Sequence, residues 1–137
     1  MKIEFFIPMK IPTVTQQEHK IAVVNGKPRF YEPAELKAAR QMFYDAVCQY
    51  RPETPVTGPL RLVTKWIWPS KTKGTHYKVT KPDTDNLIKM LKDEMTKAGF
   101  WKDDTQVASE VTEKFMTDGF AGLYIRVTQL EEADHDD

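Results

Sequence analysis

Four aspartates carry the chemistry this chain offers: Asp83 and Asp85, one residue apart, and the adjacent pair Asp103 and Asp104. They bracket the stretch NLIKMLKDEMTKAGFWK, whose apolar positions recur at helical spacing. Carboxylates gathered at the two ends of one short helix repel each other unless a cation sits between them. A hard divalent cation suits them, Mg2+ with Mn2+ as a substitute, because it takes oxygen ligands, keeps several waters and needs few carboxylates. Asp83 and Asp85 are expected on one side of an extended lead-in, with Asp104 adding a ligand from an adjacent strand end. Such a site lowers the pKa of a water and neutralises phosphodiester charge, the two requirements of phosphate hydrolysis. Lys89, one helical turn after Asp85, is placed to reach the scissile phosphate or the leaving oxygen.

Blander readings exist for each residue. One of Asp83 and Asp85 can serve as a helix N-cap. Asp103-Asp104 can be an exposed turn, and Lys89 can pair with Asp85 on the helix surface for about 0.3–0.5 kcal/mol. None of these explains why four acids collect where the helix begins and where the chain leaves it. A calcium loop counted from Asp83 has acids at positions one, three and twelve (Asp83, Asp85, Glu94), but Leu87 and Ile88 stand where it needs an oxygen ligand and a glycine. His19 and His76 are expected in loops and His135 in the acidic tail, so no histidine competes as a general base.

The elements around these residues read as a small mixed α/β (α+β) domain over residues 1–130 with two main helices. Ile3, Phe5 and Ile7 alternate through a first strand that Pro8 stops. The Asn25-Gly26 pair suits a hairpin of Lys20–Val24 with Lys27–Tyr31, or else a loop that orders on a partner. Pro33 opens a helix with a stripe of Leu36, Ala39, Phe43, Val47 and Tyr50. LRLVTKWIW gives a strand with Leu60, Leu62, Thr64, Trp66 and Trp68 on one face and Arg61, Val63, Lys65 and Ile67 on the other. A long basic loop follows, then a helix starting near Asp85 and capped by Gly99. Val107–Phe115 and Gly122–Leu130 are expected to form an antiparallel hairpin through Thr117-Asp118-Gly119. The single cysteine, Cys48, excludes an internal disulfide and is expected as a small core residue. No apolar run approaches the roughly 20 residues that span a bilayer. A cytoplasmic setting and no membrane partner are expected.

Charge is segregated. Lys and Arg together number 20, as do Asp and Glu, yet five acids lie in the tail EEADHDD (131–137), expected to be disordered, and four more are the aspartates above. From Arg61 to Lys81 there are six basic residues and no acid. A basic surface beside an acidic site is the footprint of a polyanion-binding enzyme, with Lys65, Lys71, Lys73, Lys78 and Lys81 as candidate DNA-backbone contacts. A solvated lysine-rich loop is the plain alternative. Trp66, Trp68 and Trp101 are expected to pack in the core rather than to wedge open DNA.

The pattern D-x-D-N-L-x-K, an apolar helix, then K-A-G-F-W-x-D-D-x-Q-V, resembles the RusA family of Holliday junction resolvases over Asp83–Val107. The resemblance implies a RusA-like fold and a Mg2+-dependent endonuclease of phage or prophage type. It implies a homodimer that places paired symmetric nicks across a four-way DNA junction in recombination and repair. By motif position it assigns the metal-binding, catalytic aspartates to Asp83, Asp85 and Asp104, the essential lysine to Lys89, and a supporting role to Asp103. The approach Lys78-Val79-Thr80-Lys81-Pro82 lacks the arginine that members can carry before the first aspartate, and the segment around Asn25-Gly26 is longer. Three rival readings stand beside this one: a nuclease for flaps or D-loops, a non-catalytic DNA-binding module with a structural metal or none, and a dimeric interaction protein. The helix stripe Leu36–Tyr50 and the sheet edges are equal candidates for the dimer interface.

Overall fold

Strand β4 (Leu60–Pro69) runs through the middle of the protein, and everything that positions the aspartates is built outward from it. The computed structural model describes residues 1–12, 20–24, 26–31 and 33–131, with backbone alone at 20–24 and 28–31. The other elements are β1 (Lys2–Pro8), β2 (Lys20–Val24), β3 (Lys27–Tyr31), α1 (Ala34–Cys48), β5 (Thr75–Tyr77), α2 (Thr84–Ala98), β6 (Val107–Thr117) and β7 (Gly122–Gln129). β2 and β3 form the expected two-stranded hairpin, and the rest make one five-stranded sheet in the order β1-β7-β4-β6-β5. This is the mixed α+β architecture the patterning predicts.

One expectation fails. β6 and β7 are not a hairpin: β4 lies between them, parallel to β6 and antiparallel to β7. The physical reason lies in β4 itself, where Leu60, Leu62, Val63, Thr64 and Trp66 are all buried, so it needs a neighbour on each side. Residues 118–121 carry the chain over the end of β4, two strand spacings of about 4.8 Å each, a distance four residues span easily. α2 is then the crossover that makes β4 and β6 parallel. Smaller differences concern ends: β1 includes Pro8, α1 stops at Cys48, and His76 sits on the short edge strand β5 rather than in a loop. His19, His135 and residues 132–137 of the acidic tail lie outside the described residues.

Both helices pack on one face of the sheet. The stripe of α1 (Leu36, Ala39, Phe43, Val47) is buried against α2 and β4, and Phe43 meets Trp66 edge-on at 5.8 Å. That stripe belongs to the core and is removed as a candidate dimer interface. Tyr50 lies beyond the helix end and stacks on Phe5 at 4.4 Å. α2 buries Leu87, Ile88, Met90, Leu91, Met95 and Ala98, each large apolar side chain contributing about 1.5–3 kcal/mol. Trp66 and Trp101 are core residues as expected, with the indole N–H of Trp66 donating to Thr64 Oγ1 (2.9 Å) and that of Trp101 to Thr96 Oγ1 (2.7 Å). Cys48 is half-buried at the core margin. Gly99 ends α2 at φ 92°, in the left-handed region where glycine carries no Cβ penalty.

Candidate active site

α2 begins at Thr84, with Asp83 at its N-cap position and Asp85 in its first turn. Negative charge is favoured there by the helix dipole. Lys89 follows one turn later on the same exposed side. Across from them, Asp104 opens a 3-10 turn (Asp104–Gln106) that leads into β6. Asp85, Lys89 and Asp104 share a cleft of about 380 Å³, whose other walls are Thr84, Ile88, Lys92, Glu110 and Thr112. Three of the residues singled out by spacing are therefore brought together.

Asp103-Asp104 is an exposed turn, as its bland reading has it, but the bland readings of Asp83 and Lys89 are not met. Asp83 makes no side-chain cap hydrogen bond, so its carboxylate is not spent on the helix end. Among the described residues neither Asp85 nor Lys89 forms an ion pair. Glu94, the last position of the calcium-loop count, points away from the cleft and is buried against α1, 3.0 Å from the Arg40 guanidinium. Asp103 does behave as a cap: it accepts from the Thr105 N–H (2.9 Å), which holds its carboxyl below the ordinary value.

Two parts of the expected arrangement are separated. Asp83 is not in the cleft wall, because the helix starts before Asp85 and the two aspartates no longer alternate along extended backbone. Lys65 lies on the opposite face of the sheet: the cleft residues Glu110 and Thr112 pair with Leu62 and Thr64, and Lys65 points the other way, over the Tyr124 ring at 5.5 Å. Lys71, Lys73 and Lys81 are exposed on the connection between β4 and α2. Lys78 is half-buried, with its ammonium 5.1 Å from the centre of the Trp68 ring and donating to Thr80 Oγ1 (2.7 Å). Among the described residues no three acidic, histidine or cysteine side chains converge into a ready metal cage.

The structure also assigns work to residues that spacing did not single out. Gln106 clamps the turn that carries Asp104. Its side-chain N–H groups donate to the carbonyls of Val56 (2.9 Å) and Gly58 (3.0 Å), and its oxygen accepts from the Lys102 (3.0 Å) and Asp103 (3.1 Å) N–H groups. Lys114 on β6 donates to the carbonyls of Thr80 (2.7 Å) and Pro82 (2.8 Å), tying down the lead-in to Asp83. Lys92 and Glu110 join α2 to β6 through an ion pair of 2.9 Å inside the cleft. The signal for Gln106 is the D-D-x-Q-V motif; for the other three the contact exists only between β6 and the helix or loop packed beside it.

This geometry can be set beside known proteins. The profile described as endodeoxyribonuclease RusA matches residues 10–128. The chain belongs to the RusA family. It is accordingly a nuclease. The crossover junction endodeoxyribonuclease rusA of Lactococcus phage r1t is 35% identical over 115 residues, covering 78% of this chain and 83% of that protein. The uncharacterized protein YqaN of Bacillus subtilis (strain 168) is 31% identical over 118 residues, covering 77% of this chain and 82% of that protein. The RusA match starts just past β1 and runs nearly to the end of β7, so it takes in the elements that wall the cleft. No helix among the described residues is long and apolar enough to cross a membrane.

Proposed function

We propose that this chain is a divalent-metal-dependent endonuclease that resolves four-way DNA junctions by paired symmetric nicks, acting as a homodimer in the bacterial cytoplasm. The observation that carries the reading is the shared cleft of Asp85, Lys89 and Asp104, in which Asp85 and Lys89 are left without partners among the described residues. The phage relative's activity on crossover junctions supports the choice of substrate. Symmetry supports the dimer, since nicks on two opposing strands need two active sites.

The residues present fit Mg2+. A cation that retains most of its waters needs one or two carboxylates rather than a cage, and Asp85 and Asp104 offer two from opposite walls of one cleft. Asp83, uncommitted at the helix entrance, is the third candidate. When bound, such a cation lowers the pKa of water at the site and neutralises phosphodiester charge.

The chain's own residues do the rest. Lys89 offers its ammonium to the phosphate oxygen that gains charge as the bond breaks. The first-turn N–H groups of α2 add partial positive charge at the same end. Glu110 holds Lys92 across the cleft and fixes the distance between helix and strand. Lys71, Lys73, Lys78 and Lys81 contact backbone phosphates, while Lys65, on the far face, belongs to a different part of the DNA path or to none. Neutralising Lys71, Lys73 and Lys81 together lowers the salt slope of DNA binding by about 0.9 per lost phosphate contact.

The test is nicking of a synthetic four-way junction in Mg2+, wild type beside Asp85→Asn, with linear duplex as control. Paired nicks on the junction alone, lost in the variant while binding survives, support the reading. Binding by the wild type without cleavage, across metals and junction sequences, sinks it.

A further inference from the structure

We propose that a second cleft, at the far end of β4 and β6, receives an unstacked nucleobase from the branch point of the junction. This rests on the junction reading above. The cleft, about 390 Å³, is walled by Met9, Ile11, Trp68, Pro69, Met116 and Ala121. Lys10 and Lys78 complete its lining, and among the described residues no carboxylate does. Apolar walls with an indole among them suit the face of a base, and two cations beside them suit its phosphate. An apolar peptide would have no use for the cations, and a free anion none for the walls.

The placement fits the path of a DNA strand. Glu110, Thr112, Lys114 and Met116 occupy alternate positions of β6 and so share one face of the sheet. Thr112 belongs to the aspartate cleft and Met116 to the apolar one, four residues on. That separation is about 13 Å along the strand, roughly four steps of duplex at 3.4 Å each. Between the two clefts lies the lead-in 80–82, held on Lys114 and carrying the exposed Lys81. Lys81 thus offers a phosphate contact between the two clefts.

Phe120 stands beside the apolar cleft, next to Ala121 of its wall, and is 92% exposed. A single exposed apolar side chain is ordinary. The strand end before it is tied to the basic loop, where the Ser70 N–H donates to the Thr117 carbonyl (2.7 Å) and the Thr75 and Thr117 hydroxyls lie 2.8 Å apart, and within the turn the Gly119 N–H donates to Thr117 Oγ1 (3.1 Å). An exposed aromatic at the edge of an apolar cleft, with Lys71 and Lys73 on the adjoining loop, can take the place of the neighbour a base loses when it leaves its stack.

The test uses junctions with 2-aminopurine at each branch-point position in turn, or in the middle of an arm. They are bound by the full chain carrying Asp85→Asn so that the DNA stays intact. Expected is a several-fold fluorescence change at a branch-point position and none in the arm. Adding Phe120→Ala weakens junction binding about tenfold, leaves linear duplex binding unchanged, and reduces the fluorescence change at saturation by more than half. Lys78→Ala acts on both readouts in the same direction. If the wild type nicks junctions in pairs but 2-aminopurine shows no change, or the change survives both substitutions in full, this inference is overturned and the resolvase reading stands. If the chain neither binds nor nicks junctions, both fall.

Discussion

Gln106 is the point at which a single substitution should loosen the active site without touching it. Its side chain makes four hydrogen bonds, two of them to part-buried carbonyls in the 56–58 segment and two from exposed N–H groups beside Asp103. The part-buried pair is worth about 0.5–1.5 kcal/mol each; the exposed pair is replaced by water at little cost. Gln106→Ala should therefore destabilise the protein by about 1–3 kcal/mol in urea unfolding. Because Asp104 and Gln106 are the two ends of the same three-residue turn, the Mg2+ concentration for half-maximal nicking should rise as well. Gln106→Glu is the informative partner: it keeps the acceptor for Lys102 and Asp103 but sets a carboxylate against the carbonyls of Val56 and Gly58. It should lose at least as much stability as the alanine. Stability within about 0.5 kcal/mol of wild type in Gln106→Ala, together with an unchanged Mg2+ midpoint, would refute the clamp. Lost stability with an unchanged midpoint would mean that the clamp holds the 56–58 segment alone.

Three further outcomes are expected. Arg40→Leu leaves Glu94, 4% exposed, with the outward-facing Lys97 as its remaining ion-pair partner among the described residues, and should cost about 3–5 kcal/mol in denaturant unfolding; the double change with Glu94→Leu should recover part of the loss. Gly122→Ala places a Cβ 2.3 Å from the Ile7 carbonyl oxygen at φ 154°, and should lower the melting temperature through the β1–β7 pairing by more than a surface substitution does. The lowered pKa of Asp103, caused first by the Thr105 N–H, means that its contribution to stability is complete above the ordinary carboxylate value and is lost as pH falls through the lowered one. The melting-temperature gap between wild type and Asp103→Ala should thus be constant near neutrality and narrow below about pH 4.

How much of this was legible in the sequence depended on whether the signal was local. Helix α2, its Gly99 stop and the strand LRLVTKWIW each carry their pattern within one element, and the structure keeps all three. The pairing of β6 with β4 rather than with β7 was not legible, because a short turn between two strand patterns looks the same whether they are neighbours or straddle a third strand. Asp85, Lys89 and Asp104 could be placed together because a helix fixes the first two and the motif fixes the third. Asp83 slipped from the group through a shift in where α2 begins, and N-cap positions are the least certain feature of any helix read from sequence. Lys65 was grouped with the other lysines by proximity in the chain, although a strand sends alternate side chains to opposite faces. Lys92, Glu110 and Lys114 had no signal at all, since their contacts cross between elements 18 or more residues apart.

The short length of β5 has a consequence for solubility. β5 covers β6 only at residues 115–117, so among the described residues the outer side of β6 from Val107 to Glu113 has no strand partner. An open edge of that length, in a segment reading VASEVTE, is a template on which another chain can add a strand. The acids at Glu110 and Glu113 interrupt what would otherwise be a run of β-formers with no charge. Glu110, which also holds Lys92, and Glu113 are thus the acids of this edge, and charge on an open edge disfavours strand addition. Replacing both glutamates with valine would turn the strand that shapes the aspartate cleft into an aggregation site.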